Sequence, residues 1–409
     1  MSKLEELIKE LCPNGVEYNK LKEVCTDFIV PMRDRPKVFD GNIPWCRIED
    51  MEGHEFNKSL SGLCVSEETI KDMNLKVYPT GTVICSCSAS IGAYAINTQP
   101  LITNQTFIGL VCGKNLFNKY LLYYMETQTK NLLQMATTGT IPYISRKKFE
   151  NLVIPVPPME VQCEIVQILD NFTELTAELT AELTAELTAR KKQYEYYRDE
   201  LFAFDTNNTS VQWKTLGEIS TDMYRGAGIK RDEITPTGIP CVRYGEIYTA
   251  YNIWFDECVS HTNPDIITNK KYFEKGDILF AITGESVEDI AKSCVYMGDD
   301  KCLAGGDIVV MKHNQNPKYI AYALSTTNAR MQKGKGKVKS KVVHSSVPAL
   351  KEIIIPVPPL AEQERIVSIL DRFDALCNDI SIGLPAEIEA RKKQYEYYRD
   401  KLLAFKEVS

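Results

Sequence analysis

Ala189-Arg-Lys-Lys-Gln-Tyr-Glu-Tyr-Tyr-Arg-Asp199 is a stretch that returns unchanged at Ala390–Asp400, 201 positions further along the chain. The same offset relates Ile154-Pro-Val-Pro-Pro158 to Ile355–Pro359. Between 154–204 and 355–405, 30 of 51 aligned positions are identical, without a gap. Identity at a fixed offset indicates an internal repeat. The chain therefore contains two near-copies of one segment of about 50 residues.

The regions before the two copies resemble each other only faintly. Val16–Glu23 echoes Val211–Glu218, and Ile43-Pro-Trp-Cys-Arg47 echoes Ile239-Pro-Cys-Val-Arg243. Two divergent segments therefore alternate with two nearly constant ones. The predicted domains are 1–153 (first variable domain), 154–204 (central constant region), 205–354 (second variable domain) and 355–409 (C-terminal constant region).

The constant segments read as long helices. Ile154–Pro158 cannot lie inside a helix because of its prolines, and a helix of about 68 Å is predicted from Glu160 to Phe204 at 1.5 Å per residue. Gly383 and Pro385 are expected to kink or break the second copy. The narrow apolar stripes should be buried against each other, in an antiparallel pair. The stripes are Ile165, Leu169, Phe172, Leu175, Leu179, Leu183 and Leu187, and Ile366, Leu370, Phe373, Leu376, Ile380, Leu384 and Ile388.

The variable segments read as mixed α/β domains. Strands are predicted at Thr82–Ser86 and Asp277–Ala281, and helices at Tyr120–Met125 and Tyr319–Leu324. The predicted fold class is α+β. Two mixed α/β globular domains are joined by two long antiparallel helical regions in a pseudo-two-fold, circular arrangement.

Residues 176–187 repeat the tetrad Thr-Ala-Glu-Leu three times. A low-complexity linker is one interpretation. A spacer helix is the other, and it is favoured because Leu179, Leu183 and Leu187 align with the apolar series of the second copy. Each tetrad adds about 6 Å of helix. One base pair of duplex DNA adds about 3.4 Å, so a tetrad gained or lost would shift two DNA half-sites bound by such a chain by one or two base pairs.

Composition narrows the class of protein. The chain has 409 residues, of which 44% are hydrophobic and 25% charged, so two or three globular domains are expected. The charged stretch MSKLEELIKE argues against a secretory signal, and no apolar run is long enough for a membrane span. The 13 cysteines and four isolated histidines lack metal-ligand spacing, which predicts reduced thiols in a cytoplasmic protein without a metal site.

The net charge of −7 first argues against a nucleic-acid binder. The charge is unevenly distributed, however. Residues 154–204 hold 4 basic and 10 acidic residues, residues 1–153 hold 17 of each, and residues 205–354 hold 19 basic and 18 acidic. The acidity therefore lies mainly in the helical connectors, and the variable domains are close to neutral.

The duplicated blocks, the alternating order and the tetrads together resemble the specificity (S) subunit of type I restriction–modification enzymes. The resemblance covers the whole chain. It implies that the variable segments are target recognition domains, each reading half of a bipartite DNA sequence. It also implies that the constant regions hold these domains apart and dock two methyltransferase subunits, which restriction subunits then join. The S chain itself would not be catalytic, and S-adenosylmethionine, ATP and Mg would be bound by partner subunits.

The sequence contains no competing catalytic motif. Gly334–Ser340 superficially evokes a phosphate-binding loop, but its spacing is wrong. No Asn/Asp-Pro-Pro-aromatic methyltransferase motif occurs either. Enzyme chemistry is therefore expected from the partners.

Three places in each variable domain are candidates for DNA contact, because Lys and Arg hold phosphates and Arg also reads base edges. They are the first loop, the shared Ile-Pro-x-x-Arg motif and the stretch before each constant region. A solvated surface is the alternative interpretation of all three. The predicted residues are Arg33, Arg35, Lys37, Arg47, Thr138, Arg146, Lys147 and Lys148 in the first half, and Arg225, Lys230, Arg231, Arg243, Lys333, Lys335, Lys337, Lys339 and Lys341 in the second.

The identical blocks are the candidate docking surfaces, because two near-identical surfaces suit two copies of one partner. An ordinary solvated helix face is the alternative, although such a face would be expected to drift between copies. The predicted residues are Arg190, Lys191, Lys192, Tyr194, Tyr197 and Arg198, with Arg391, Lys392, Lys393, Tyr395, Tyr398 and Arg399.

Two further functions stay open from the sequence. One is a structural coiled-coil adaptor whose globular domains bind protein, and the other is a stand-alone DNA-binding regulator. The halves also differ where shared DNA contacts might be sought: Ser88–Gly92 and Asn104-Gln105 give way to Thr283–Ser286 and Gly305–Asp307. This difference predicts two half-sites of different sequence.

Overall fold

A computed structural model describes residues 2–31, 33–137, 141–205, 209–335, 342–378 and 383–408. The chain divides into two compact units. Unit 1 combines Met1–Ala181 with Glu389–Ser409, and unit 2 consists of Glu182–Ile388. The C-terminal end of the chain thus folds with the N-terminal domain.

Unit 1 contains short helices, short strands and the first part of one long helix. Its helices are α1 (Lys3–Leu11), α2 (Leu21–Val24), α3 (Glu67–Asp72), α4 (Asn118–Thr127), α5 (Thr129–Met135), α6 (Arg146–Glu150) and the start of α7 (Met159–Leu201). Its strands are β1 (Tyr18–Lys20), β2 (Cys25–Ile29), β3 (Ile43–Cys46), β4 (Cys64–Val65), β5 (Val83–Ser86), β6 (Tyr94–Ile96), β7 (Ile102–Thr103), β8 (Phe107–Cys112) and β9 (Val153–Pro155).

The strands of unit 1 form two main sheets, ordered β2-β8-β5-β6 and β4-β3-β7, and a separate β1–β9 pair. The largest apolar cluster packs α4 and the first turns of α7 against the four-stranded sheet, with Tyr120, Leu121 and Ile165 fully buried. At the other end of the chain, Lys406 O accepts a hydrogen bond from Val16 N at 2.8 Å. This bond joins the two chain ends within unit 1.

Unit 2 repeats this plan with more strands. Its helices are the end of α7, α8 (Leu216–Ile219), α9 (Tyr244–Thr249), α10 (Pro317–Ser325), α11 (Thr327–Gly334), α12 (Val347–Lys351), α13 (Leu360–Asn378) and the start of α14 (Leu384–Leu402), most of which belongs to unit 1. Its strands are β10 (Gln212–Thr215), β11 (Ser220–Arg225), β12 (Ile234–Thr235), β13 (Ile239–Val242), β14 (Trp254–Phe255), β15 (Ser260–Thr262), β16 (Tyr272–Phe273), β17 (Ile278–Ala281), β18 (Thr283–Gly284), β19 (Ser293–Tyr296), β20 (Cys302–Ala304), β21 (Ile308–His313), β22 (Val343–His344) and β23 (Ile354–Val357).

Two five-stranded sheets organise unit 2. Their strand orders are β11-β21-β17-β19-β14 and β12-β15-β13-β20-β16, and β10–β23 and β18–β22 form separate pairs. The predicted strands and helices of the variable domains are confirmed as β5, β17, α4 and α10, with small shifts at their ends. Gly81 and Gly276 precede β5 and β17 with φ of 84° and 90°, a turn conformation that favours glycine. The α+β fold class is therefore confirmed.

The long helix α7 runs for 43 residues, about 64 Å at 1.5 Å per residue, and includes all three tetrads. Leu179, Leu183 and Leu187 are half-buried along it, whereas most other tetrad side chains are exposed. In the second copy, α13 ends at Asn378 and α14 begins at Leu384, so the two helices are separate around Gly383. Ile380 lies outside the described residues.

The two copies pack aromatic side chains against each other within each unit, at equivalent positions. In unit 1 the Phe172 and Tyr398 rings lie 6.2 Å apart between centroids, and Thr173 Oγ1 lies 2.9 Å from the Tyr395 hydroxyl. In unit 2, Tyr197 stacks on Phe373 at 5.9 Å. From Phe172 to Thr173 the residue number rises along α7, whereas the number of the contacting residue on α14 falls from Tyr398 to Tyr395. The predicted antiparallel packing of the two helices is thus seen in unit 1.

A buried glutamine ties each variable domain to its constant helix. Gln162 Nε2 donates to the carbonyls of Asn115 and Pro157 at 2.8 and 2.7 Å, and Gln162 Oε1 accepts from Phe117 N at 2.8 Å. In unit 2, Gln363 repeats the arrangement with Pro358 O, Gln315 Oε1 and Asn316 N. Both glutamines are fully buried.

An aspartate on the next turns of the constant helix completes the junction. Asp170 accepts hydrogen bonds from Tyr123 Oη at 2.8 Å and Lys119 Nζ at 2.7 Å. Asp371 accepts the equivalent pair from Tyr322 and Lys318 at 2.7 and 2.8 Å. The packing between variable domain and constant helix is therefore the same in both units, although their sequences have diverged.

We predict that Gln162→Leu weakens unit 1 locally. The change keeps the volume but removes three hydrogen bonds and leaves the buried carbonyl of Pro157 without a donor, which costs about 2 kcal/mol. Amide hydrogen exchange around β9 and α4 should then accelerate about 30-fold. Gln363→Leu is the matched control, and it should accelerate exchange in unit 2 instead. Equal effects of either variant on both units would contradict this assignment.

Candidate nucleic-acid interface

In both units an arginine follows an interior strand of a small sheet. Arg47 comes after β3 and Arg243 after β13, and each strand has a parallel neighbour, β7 or β20. Each arginine caps the short helical turn that follows. Arg47 N donates to Asp50 Oδ2 at 2.7 Å, and Arg243 N donates to Glu246 Oε2 at 3.0 Å. The shared Ile-Pro-x-x-Arg motif therefore has one backbone role in both domains.

The two guanidinium groups are held differently. Arg243 Nε lies 3.2 Å from Glu246 Oε1, and that oxygen also accepts from Ser260 Oγ at 2.7 Å. Arg47 Nη2 instead pairs with the exposed carboxylate of Glu49 at 2.9 Å. The scaffold is conserved, whereas the surroundings of the arginine are specific to each unit.

The first basic loop of unit 1 lies beside the same arginine. Arg33, Arg35 and Lys37 are exposed, and the Arg35 guanidinium lies 5.1 Å from the Trp45 ring centroid, on the strand that leads to Arg47. The structure thus brings Arg35 and Arg47 to one aromatic ring, since Arg47 lies 5.9 Å from it.

In unit 2 the corresponding loop lies around a cavity. Arg231 and Arg243 line an open cavity of about 530 Å³ together with Tyr244, Gly305 and Gly306. Arg225 is committed to an internal partner, because its Nη2 lies 2.7 Å from Asp307 Oδ1. Lys230 is exposed and lies 3.9 Å from Glu233.

The third predicted place differs between the units. In unit 1, Arg146 pairs with Glu150 at 2.7 Å, Lys147 is exposed, and Lys148 Nζ donates to Met135 O. In unit 2, Lys335 is exposed. Four predicted contacts lie outside the described residues: Thr138, Lys337, Lys339 and Lys341.

Lys333 does not share the exposure that its neighbours in sequence suggested. It is only 6% exposed, and its ammonium donates to Leu324 O at 2.9 Å and Ser293 Oγ at 3.1 Å. Burial lowers the pKa of Lys333 to about 7 because it disfavours the charged form. A phosphate contact would require this side chain to leave the core, so we omit Lys333 from the proposed interface.

The duplicated block, Ala189–Asp199 and Ala390–Asp400, has an inner face that packs within its unit and an outer face that is exposed to solvent. On the inner face, Tyr194 is buried and Arg198 is 2% exposed, while Arg399 Nη1 pairs with Glu126 at 3.2 Å within unit 1. Internal packing therefore accounts for the identity of these positions and of Tyr395. A surface for a partner is not needed to explain them, contrary to the reasoning from sequence alone.

The outer face keeps the remaining candidates. Tyr196 and Tyr397, 61% and 62% exposed, are large aromatic side chains at equivalent positions that the sequence analysis did not single out. The sequence could have indicated them, because both belong to the Tyr-Glu-Tyr-Tyr run that is identical in the two copies. The other exposed members are Lys191, Lys192, Tyr197, Lys392, Lys393 and Tyr398, and Arg190 and Arg391 are half-buried.

The described residues contain neither a metal-binding cluster nor a membrane-spanning helix. No group of three or more His, Cys, Asp or Glu side chains has the arrangement of a metal site in the part of the chain that the structure describes. Across the same ranges, no helix is both long and apolar enough to traverse a bilayer.

Comparison with known sequences gives a consistent result. The family described as type I restriction modification DNA specificity domain matches residues 13–189 and again residues 211–390. A Haemophilus influenzae protein named as a type I restriction enzyme specificity subunit is 32% identical over 412 residues, covering 98% of each chain. The Escherichia coli EcoR124I/EcoR124II specificity subunit is 33% identical over 300 residues, covering 70% of each chain.

Solved structures share the fold. A chain described for the assembly and conformational transition of the type I R-M system aligns with a TM-score of 0.69 at 17% identity, covering 96% of this chain and 98% of that one. The HsdS subunit of Thermoanaerobacter tengcongensis aligns with a TM-score of 0.51 at 17% identity, covering 96% of this chain and 97% of its own.

Proposed function

The chain belongs to the type I restriction modification DNA specificity family, and from this premise we propose that it selects the DNA sequence for a type I restriction–modification complex. One observation carries the proposal: the family match occurs twice, and each match joins a mixed α/β domain to a constant helical region. Neither a structural adaptor nor a stand-alone regulator accounts for that double match.

Each domain reads one half of a bipartite target. Arg47 and Arg243 occupy equivalent positions, but their partners differ, as do the loops that follow the parallel neighbours β7 and β20. Two copies of one scaffold that carry different side chains and loops suit two half-sites of different sequence. The target is therefore asymmetric, with an unread spacer between its halves.

The chain works with two methyltransferase subunits, and restriction subunits join through that core. Tyr196 and Tyr397 support this stoichiometry, because large aromatic side chains exposed on two copies of one sequence suit two copies of one partner. Each lies on a helix face that also exposes lysines, Lys191 and Lys192 or Lys392 and Lys393.

Catalysis and its cofactors belong to the partners. S-adenosylmethionine, ATP and Mg would be bound by the methyltransferase and restriction subunits, and this chain would supply only recognition and spacing. The near-neutral variable domains and the acidic central helix also predict that the isolated chain binds DNA weakly. Firm binding would need positive surface from the partners.

Deleting the gene tests the proposal directly. The methylome of the source organism should lose one split, two-part methyl-adenine motif, and re-expression should restore it. An unchanged methylome would contradict the proposal and favour an adaptor. Co-purification separates the regulator, because a regulator should be isolated alone, whereas this chain should bring down about two methyltransferase chains.

Removing one tetrad, residues 180–183, should shorten the unread spacer by one or two base pairs. The tetrads lie within the continuous helix α7, so the deletion shortens it by about 6 Å and rotates its remainder by about 40° from the original face. Methylome sequencing should find both half-sites unchanged. New bases in either half-site would show that the tetrads do more than set a distance.

Substituting the exposed tyrosines should separate the two docking sites. Tyr196→Ala or Tyr397→Ala alone should retain about one methyltransferase chain, and the double variant none, as measured by co-purification and native mass. Leu133→Ala is the matched control, because Leu133 is also an exposed apolar side chain but lies on α5. Two bound chains on the double variant would place the docking surface elsewhere.

A further inference from the structure

The cavity beside β13 contains an arginine whose environment distinguishes it from the other cations of unit 2. Arg243 leaves the strand with its backbone fixed by two hydrogen bonds to one residue. Arg243 N donates to Glu246 Oε2 at 3.0 Å, and Glu246 N donates to Arg243 O at 3.0 Å. The Cα position is therefore set before any ligand arrives.

The carboxylate that holds the side chain is itself buried. Glu246 is 7% exposed, and its Oε1 accepts from both Arg243 Nε and Ser260 Oγ. A buried carboxylate with both oxygens engaged has little freedom to turn. It fixes the plane of the guanidinium through Nε, so that less rotamer entropy remains to be lost on binding.

The outer edge of this guanidinium is available. Neither Nη1 nor Nη2 of Arg243 has a hydrogen-bond acceptor within the ranges that the structure describes, and the half-buried side chain lines the open cavity. Gly228 and Gly245 line it too, and a Cβ on either would meet no atom within 4 Å. The absence of side chains at these two positions keeps the cavity open, and internal packing does not require glycine at either of them.

Arg243 and Glu246 together carry no net charge, so the pair favours a neutral group over a phosphate. Glu246 cancels the long-range attraction of Arg243 for phosphate, because the two charges sum to zero at a distance. The Nη donors remain, and two parallel donors match the O6 and N7 acceptors of guanine in the major groove. Arg231, exposed in the same cavity, makes no ion pair with the described residues and has the properties of a phosphate contact.

We propose that Arg243 reads one guanine of the half-site recognised by unit 2, with Glu246 as its positioning residue and Arg231 as a neighbouring phosphate contact. The inference rests on the proposed function. It extends that function, because it separates a base contact from a phosphate contact within one cavity.

The test uses the full chain in complex with its methyltransferase subunits, after the methylome has given the bipartite motif. Each guanine of the motif is replaced in turn by 7-deazaguanine, which lacks the N7 acceptor. At one position in one half-site, the replacement should weaken binding of the wild type by about tenfold. The same replacement should cost Arg243→Gln nothing further, because the contact has already been lost.

Arg231→Gln is the contrasting variant. It should weaken binding to every duplex by the same factor, retain the tenfold 7-deazaguanine effect, and lower the slope of log affinity against log salt by about one. Arg243→Lys keeps the charge without the planar fork, so it should weaken the guanine preference while staying bound. Arg243→Lys also replaces Arg243→Gln in the 7-deazaguanine comparison if Arg243→Gln does not fold.

Glu246→Gln gives a result that a merely structural role would not produce. Removing the carboxylate charge exposes the charge of Arg243, so affinity for unrelated DNA should rise and its salt slope should steepen by about 0.9. Discrimination at the one guanine should fall at the same time. A loss of both affinities would contradict the positioning role.

The failures are distinguishable. If no bipartite motif is found, the proposed function is wrong. If the motif is found but 7-deazaguanine has the same effect on wild type and Arg243→Gln at every position, Arg243 does not read a guanine and the inference is overturned.

Discussion

The hydrogen bonds of one buried carboxamide, Gln162 in unit 1 and Gln363 in unit 2, are the constraint on which the rest of the structure depends. The chain passes from a strand through two prolines into a helix, and prolines have no N–H to offer. The carbonyl of Pro157 is buried beside them and needs a donor. The glutamine supplies that donor, and its second donor and its acceptor satisfy two groups of the variable domain. An apolar residue at this position would leave the buried proline carbonyl without a donor and would remove both hydrogen bonds to the variable domain.

This junction explains why the constant helices can carry unlike domains. Asp170 and Asp371 each accept hydrogen bonds from a tyrosine and a lysine on the helix of the variable domain that faces them. Only α4 or α10 must therefore keep a fixed pattern, while the sheets beyond can diverge. Unit 2 accordingly builds two five-stranded sheets where unit 1 has a four-stranded and a three-stranded one. Divergence of the readers and constancy of the scaffold are thus compatible in a single chain.

The sequence revealed the scaffold more readily than the surface. Exact duplication and helical spacing were enough to predict α7, and short apolar runs predicted β5 and β17. The same duplication is ambiguous for the candidate docking residues, because internal packing of Arg198 explains identity between the copies as readily as contact with a partner does. Lys333 shows a second limit, since a lysine-rich run is assumed to be solvated. Its burial depends on the carbonyl of Leu324 and the hydroxyl of Ser293, which become neighbours only in the fold.

The distribution of charge bears on how such a chain could choose a sequence. A domain with a large positive charge gains affinity from any duplex, so that correct and incorrect sites differ by a smaller share of the total. The variable domains here are close to neutral, and several of their arginines are paired with carboxylates of the same domain. Pairing reduces attraction to the phosphate backbone but leaves oriented donors for base edges. Such pairing suits a chain whose affinity for DNA comes mainly from outside its variable domains, while oriented donors within those domains discriminate between base edges.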